Sequence, residues 1–182
     1  AMGFGDAVGP FVGLAKEQFD LSNFEAQLIP FMGFIMFGLL SVPMGLFQDR
    51  KGKKKVLMMG LVIALAGLTL PLFGLSSYAL FLLTILMLGA GAAILQVAGN
   101  PIMRDVSGPG KFARNLSFGQ FIKAIGSLSG SLIPFAAAKW FGADWNVLFP
   151  IYVGALLITI SIIGFTKIKE EKSEREPASL KS

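Results

Sequence analysis

Four polar side chains interrupt long apolar runs of the sequence and are the first candidates for chemistry. Gln96 and Asn100 are four residues apart, and Gln120 and Lys123 are three residues apart. In a helix, residues at either spacing lie on the same face. Amides donate and accept hydrogen bonds and an ammonium group donates them, so the two faces suit a polar ligand. Hydrogen bonds between neighbouring helices would account for Gln120 equally well.

Two charged residues, Lys123 and Asp6, lie inside long apolar segments of the sequence. If the segments cross a membrane, a buried charge is costly there, which makes each residue a functional candidate. The face that carries Lys123 continues through Ser127 and Ser131, so it could line a water-filled cavity. Each of the two charges could instead lie at a membrane edge. The long side chain of Lys123 can reach the membrane surface, and Asp6 can sit at the open edge of a shortened helix.

The composition indicates a membrane protein. Of the 182 residues, 54% are hydrophobic and only 15% are charged, whereas a soluble domain carries about 25% charged residues. Cysteine and histidine are both absent, which excludes disulfides, thiol catalysis and the commonest metal ligands. Without a convergent nucleophile and base we expect no catalytic residues, no metal and no enzyme. The net charge of +5 does not indicate nucleic acid, because aromatic residues are not interleaved with the basic ones.

The apolar runs predict an all-α membrane protein built as a bundle of six transmembrane helices. A bilayer span needs about 20 mostly apolar residues, so the first run is expected to be a truncated helix. Ser22 or Asn23 is expected to cap the second helix. Residues 167–182 are charged and are expected to form a cytoplasmic tail or a linker. The predicted helices cover residues 1–15, 24–47, 55–74, 78–103, 115–138 and 147–166 of one transmembrane domain, 1–166.

The basic residues predict which side of the membrane each loop faces. Thirteen of the sixteen Lys and Arg residues lie in loops 45–55 and 104–114 and in the C-terminal tail. The opposite side carries only Lys16 and Lys139. Because positively charged loops stay on the cytoplasmic side, both loops and the tail are expected to be cytoplasmic. The aromatic residues expected at the opposite surface are Tyr78, Trp140 and Trp145.

The segment GLFQDRKGKKK, residues 45–55, resembles the signature loop between the second and third helices of the major facilitator superfamily. In that pattern Gly45 permits close helix approach, Gly52 permits a turn, and Asp49 can meet a helix N-terminus. The resemblance implies one half of a transporter fold. It assigns Gly45, Asp49, Arg50, Gly52 and Lys53 to conformational gating. It also implies that Asp49 works against a helix of a second half, so that its partner should be missing here.

Residues 96–101, read as QVAGNP, resemble the fourth helix of fucose:proton symporters and related glucose/galactose permeases. Residues 115–121 and 20–27 resemble the same family's fifth helix and its entry into the second. The resemblance implies secondary active transport of a hexose or deoxyhexose by alternating access, with a proton as coupling ion and no other cofactor. It departs at Gln96, where the family has an acid, so Asp6 becomes the candidate for proton coupling. The implied sugar-binding residues are Gln96, Asn100, Gln120 and Lys123.

Alternating access requires a second six-helix bundle to move against the first. We therefore expect a fragment or half-transporter whose partners are the sugar, the bilayer of a bacterial cytoplasmic (inner) membrane, and a second half. That half could belong to the same full-length chain, a separate chain or a homodimer mate. Three alternatives remain: a drug or organic-ion antiporter of the same superfamily, a transporter of acidic sugars anchored by Lys123, and a membrane scaffold that transports nothing.

Overall fold

The computed structural model describes residues 8–74 and 77–168, and this part of the chain is helical without any β-strand. Asp6 and residues 169–182 of the tail therefore lie outside the described residues. Short 3₁₀ turns, Leu70–Phe73 and Trp145–Val147, follow α3 and precede α6. The helices are α1 Val8–Phe19, α2 Asn23–Lys51, α3 Lys53–Thr69, α4 Tyr78–Val106, α5 Phe112–Phe141 and α6 Leu148–Phe165.

Five of the described helices, α2 to α6 with the adjoining 3₁₀ turns, are long and apolar enough to cross a membrane. They alternate in direction, so their ends gather at two opposite poles. One pole, here called the basic end, contains the ends of α2, α4 and α6 and the starts of α3 and α5. The other, called the aromatic end, contains the ends of α1, α3 and α5 and the starts of α2, α4 and α6. Bonds between neighbouring helices at both poles, described below, fix this arrangement.

Helix α4 is the centre of the bundle, and small residues let its neighbours approach it closely. A Cβ atom built on Gly89 would lie 2.2 Å from the backbone oxygen of Gly33 in α2. A Cβ atom built on Gly91 would lie 2.7 Å from the Cβ of Ala64 and 2.9 Å from the backbone oxygen of Gly60, both in α3. Because lipid tails are as apolar as leucine, such close packing of small residues is the main source of helix association in a membrane.

Helices α2, α4 and α5 run further than the sequence predicts, and the predicted loop at residues 45–55 is wrong. Helix α2 continues to Lys51 and α3 begins at Lys53, so Gly52 alone separates them. Gly52 has a φ angle of +94°, a conformation that glycine adopts without strain, and its N–H donates to the oxygen of Gln48 at 2.9 Å. At residues 104–114 the helices likewise leave only the five residues 107–111 between them. Arg50 and Lys51 lie in the last turn of α2, where a positive charge stabilises the C-terminal end of a helix, so these basic residues need not lie in a loop.

The predicted loop before the second helix is also shorter in the structure, because Lys16 belongs to α1. Asp20 takes the left-handed φ of +50°, and the N–H of Leu21 donates to the oxygen of Lys16 at 3.1 Å, which closes the end of α1. Ser22 then caps α2, as predicted. Its hydroxyl accepts from the N–H of Glu25 while the Glu25 carboxylate accepts from the N–H of Ser22, a complete capping box.

Aromatic side chains join the helices at the aromatic end. The Trp145 ring packs edge-on against Phe81, with 6.0 Å between ring centroids, and at a tilt of 55° against Phe149, with 5.6 Å between centroids. Its indole N–H donates to the side-chain oxygen of Gln18 in α1 at 2.9 Å. The Tyr78 hydroxyl donates to a backbone oxygen at the start of α2. Rings with an apolar body and a polar tip suit a membrane surface.

Candidate functional site

A buried ion pair at the basic end connects α3 to α4. The ammonium group of Lys53, the first residue of α3, contacts the carboxylate of Asp105 near the end of α4. The two side chains are only 10% and 2% exposed. Each charge opposes its own helix dipole, because a cation is unfavourable at a helix N-terminus and an anion at a C-terminus. The attraction between Lys53 and Asp105 therefore offsets the unfavourable position of each charge in its own helix.

Lys54 makes a second connection at the same end, from α3 to α6. Its ammonium group donates to the backbone oxygens of Gly164 at 2.9 Å and Thr166 at 2.7 Å. Gly164 lies in the last turn of α6 and Thr166 directly follows the helix, and carbonyl groups at a helix C-terminus have no partner within the helix. The three consecutive lysines that begin α3 thus have different surroundings: Lys53 is buried in an ion pair, Lys54 caps α6, and Lys55 is exposed.

The other predicted gating residues surround this pair at the end of α2. Asp49 is exposed, and it has neither an ion pair nor a hydrogen bond among the described residues. The predicted contact with a helix N-terminus is not found there, since neither α3 nor α5 has a side-chain cap. Arg50 is also exposed. No described helix approaches Gly45 closely, because a Cβ atom there would meet nothing within 4 Å, and the gating role of Gly45 stays a prediction.

Gln48, which sequence reasoning did not single out, is buried beside these residues. Its side chain is 8% exposed and its amide oxygen has no hydrogen-bond partner in the described structure. Gly33 of α2 and Gly89 of α4 lie against each other. Gln48 follows Gly33 by fifteen residues. Arg104, the residue before Asp105, follows Gly89 by the same number. Because α2 and α4 run in the same direction with the same rise per residue, Gln48 is at about the level of the Lys53 ion pair.

The polar face of α4 is only partly enclosed. Gln96 is half-buried and Asn100 is exposed, and neither forms a hydrogen bond with another described residue. Asn100 is one helical turn nearer the basic end than Gln96. Two amide groups on one face are therefore available to a ligand, while residues one to two turns earlier on that face, such as Ala92 and Gly89, are buried in the bundle.

The polar face of α5 is less buried than that of α4. Gln120 is exposed and has no hydrogen bond with the described residues, whereas Lys123 is half-buried and does interact within the chain. Further along, Ser131 lines a cavity of about 460 Å³ between α1, α5 and the turn at Trp145. The remaining wall of that cavity is mainly apolar, with Asp144 as its charged residue. Neither Gln120 nor Lys123 reaches this cavity, and no hydrogen bond joins the described polar faces of α4 and α5.

A hydroxyl pair that sequence reasoning missed joins α5 to α6. The hydroxyl oxygens of Ser129 and Tyr152 are 2.7 Å apart, and Tyr152 is only 2% exposed. A tyrosine within an apolar run is the sequence signal for such a contact, because a buried phenol needs a hydrogen-bond partner. Ser129 therefore contributes to packing between α5 and α6. Asp6, the predicted proton-coupling residue, lies outside the described residues.

The comparison with known families decides the fold family. The sequence profile of the Major Facilitator Superfamily matches residues 1–182, the whole chain. This chain belongs to the Major Facilitator Superfamily. The helical fold, without strands in the described residues and with long apolar helices, is that of a half-domain membrane bundle of this superfamily, as predicted. The chain is accordingly an integral membrane protein.

Named transporters are similar to this superfamily member over much of its length. The glucose/galactose transporter of Brucella abortus biovar 1 is 31% identical over 175 residues, which cover 90% of this chain and 42% of that protein. A putative glucose/galactose transporter of Helicobacter pylori is 35% identical over 130 residues, 68% of this chain and 32% of that protein. The L-fucose-proton symporter of Escherichia coli is 30% identical over 120 residues, 60% of this chain and 27% of that protein.

The chain thus spans less than half the length of these curated relatives. Their names confirm the predicted resemblance to glucose/galactose transporters and fucose symporters. They also point to transport rather than catalysis.

Proposed function

We propose that this chain is one six-helix half of a secondary active transporter that moves a hexose or deoxyhexose across a bacterial cytoplasmic membrane. The observation that carries the proposal is the 31% identity with a glucose/galactose transporter over 90% of the chain. The unpaired amides of Gln96 and Asn100 on α4 support it, because amides donate and accept hydrogen bonds with sugar hydroxyls. Gln120 and Lys123 on α5 complete the proposed sugar site.

In this proposal the basic end faces the cytoplasm and contains the gate. Thirteen of sixteen basic residues belong to the segments at that end and to the tail, as the positive-inside rule requires. Asp49 is exposed and unpaired among the described residues, which suits a carboxylate that contacts a second bundle. Lys53 and Asp105 hold α3 and α4 together as a unit while that bundle moves. The second bundle belongs to the same longer chain, to a separate chain or to a homodimer mate.

The coupling ion in the proposal is a proton, and Asp6 is the titrating group. Gln96 occupies the place of the acid that the fourth helix of the resembled family carries, and an amide does not titrate. A carboxylate that is charged when the site faces one side and neutral when it faces the other biases the alternating-access equilibrium.

Uptake of radiolabelled glucose, galactose and fucose into proteoliposomes tests the proposal. The transporter with both bundles should accumulate at least one of these sugars when a proton gradient is imposed. Asp6→Asn should abolish accumulation against a gradient, and proton-coupled accumulation by that variant would contradict the role of Asp6. The 182-residue chain reconstituted alone should be inactive, and uptake by a monomer of it would contradict the need for a second bundle.

One observation favours a second candidate, a transporter for acidic sugars. Lys123 places an ammonium group in an apolar stretch of α5, where a uronate or sialic acid carboxylate would be a strong partner. Competition between labelled galactose and unlabelled galacturonate separates the candidates. Stronger competition by galacturonate, lost in Lys123→Gln, would favour the acidic sugar.

A further inference from the structure

The lysine and arginine residues at the basic end fall into two groups. Lys53 and Lys54 are used within the protein, in the ion pair with Asp105 and in the cap of α6. Lys51 and Lys55, on either side of these two, are exposed and make no ion pair or hydrogen bond with described residues. Among the described residues at this end, the other exposed and unpaired cations are Arg50, Arg104, Lys111, Arg114 and Lys167.

Carboxylates at the basic end do not balance these charges. Asp49 is the exposed carboxylate of the described residues there, and Asp105 is committed to Lys53. Within residues 8–74 and 77–168, seven exposed cations without a described partner thus share this end with one exposed carboxylate. Side chains that carry charge so densely without partners form a surface for an anionic ligand.

The position of Lys51 relative to the bilayer suggests what that ligand is. Helix α2 has 29 residues and is therefore about 44 Å long at 1.5 Å per residue. The hydrocarbon core of a bilayer is only about 30 Å thick, so the last turns of α2 lie among the lipid headgroups. Phe47, which is 38% exposed, lies four residues before Lys51 on the same helix face. An exposed apolar ring and an exposed ammonium group therefore lie one turn apart on the same face of α2.

Lys55 repeats this arrangement on α3. Val62 is 53% exposed and lies seven residues, about two turns, further into the membrane than Lys55 on a similar face. The face that presents Lys55 is therefore exposed in this bundle, unlike the face with Lys53, which is buried against α4. Because Gly52 is the whole connection between α2 and α3, Lys51 and Lys55 are held close to each other along the chain.

We infer that Lys51 and Lys55 form an interaction site for the headgroup of an anionic phospholipid on the outer surface of the α2–α3 corner. The headgroup phosphate takes the two ammonium groups, and the acyl chains follow Phe47 and Val62. A protein ligand is a poorer match, because the flanking surface is apolar and lies at membrane depth. The glutamates at positions 170, 171, 174 and 176 of the tail are the competing occupant.

Native mass spectrometry of the whole 182-residue chain in neutral detergent tests the inference, with phosphatidylglycerol and phosphatidylcholine as the two probes. Each lysine near an anionic surface contributes about a fivefold affinity gain, so Lys51→Gln with Lys55→Gln should weaken phosphatidylglycerol binding about thirtyfold. Phosphatidylcholine binding should not change. The matched control, Lys16→Gln with Lys139→Gln, removes two cations from the aromatic end and should retain phosphatidylglycerol.

Three results would overturn the inference. One is equal phosphatidylglycerol binding by the two double variants. A second is competition by soluble glycerol phosphate at the same concentration, which would mean that phosphate binds without a membrane lipid. The third is a wild-type chain that does not bind phosphatidylglycerol, together with binding by a variant whose four tail glutamates are changed to glutamine, which would assign the surface to the tail. The unfolding temperature in neutral detergent should be equal for the wild-type chain and for Lys51→Gln with Lys55→Gln, because neither lysine has a partner among the described residues, and this separates lipid binding from loss of fold.

Discussion

The buried contact between Lys53 and Asp105 makes the most demanding stability prediction. Asp105→Asn leaves an ammonium group that is only 10% exposed without its carboxylate partner. Removing one partner of a buried pair costs about 3–5 kcal/mol, because the remaining charge stays desolvated. Lys53→Met leaves the Asp105 carboxylate, 2% exposed, in the same position. Each single variant should therefore lose about 3–5 kcal/mol of unfolding free energy.

The double variant, Lys53→Met with Asp105→Leu, should be much more stable than either single variant. Replacing both charges by apolar groups of similar size removes the desolvation cost together with the attraction, and is often neutral. Chemical unfolding in detergent micelles, followed by circular dichroism, measures the four free energies of the cycle. Lys55→Met is the control, since Lys55 is exposed and unpaired, and it should change stability by less than about 0.5 kcal/mol. Additive losses in the double variant would refute the reasoning.

Three further substitutions test the packing and the helix ends. Gly89→Ala should destabilise the bundle by about 1–3 kcal/mol, because its Cβ would lie 2.2 Å from the backbone of Gly33. The control is Gly38→Ala, which should be neutral or stabilising because a Cβ atom there has nothing within 4 Å. Equal effects of the two substitutions on thermal unfolding would contradict the close approach of Gly89 to Gly33. Ser22→Ala removes the α2 cap and should cost about 1 kcal/mol, measured by the same assay; no loss would mean that the capping box is not formed. Lys54→Met should speed amide hydrogen exchange in the last turn of α6 and leave α2 unchanged, and unchanged exchange in α6 would argue against the cap.

The sequence predicts the number and order of the helices well because a membrane imposes a simple rule. An apolar run of sufficient length must be a helix, since every backbone group needs an internal partner. The ends are less predictable, because helices continue past the hydrocarbon into the headgroups. For that reason residues 45–51, which look like a charged loop, belong to α2. Gly52 is the exception, since the resemblance to the signature loop of the superfamily already implies a turn there.

The pairing within the basic end could not be predicted from spacing. Asp105 is 52 residues from Lys53, and no sequence pattern identifies Lys53 as its partner. A weak signal does exist: an acid close to the end of a helix opposes the helix dipole, which indicates a partner on another helix. Contacts such as Gly33 with Gly89 depend in the same way on how the helices pack, which periodicity does not specify.

For the candidate sugar site, the sequence predicts which residues share a helix but not which of them have hydrogen-bond partners. Helical spacing correctly places Gln96 with Asn100 on one helix and Gln120 with Lys123 on another. It does not reveal that Lys123 already interacts within the chain while the other three lack hydrogen bonds to described residues. Whether these residues bind sugar stays a prediction.

Equilibrium binding of galactose is the most direct test of the central proposal, that the polar face of α4 belongs to a sugar site. The transporter with both bundles, in detergent, should bind galactose by isothermal titration calorimetry. Asn100→Ala should weaken binding by roughly tenfold, the value of a neutral hydrogen bond. Ser161→Ala, which removes an exposed hydroxyl bonded within α6, should not affect it. Equal galactose affinity in the Asn100 and Ser161 variants would contradict the account.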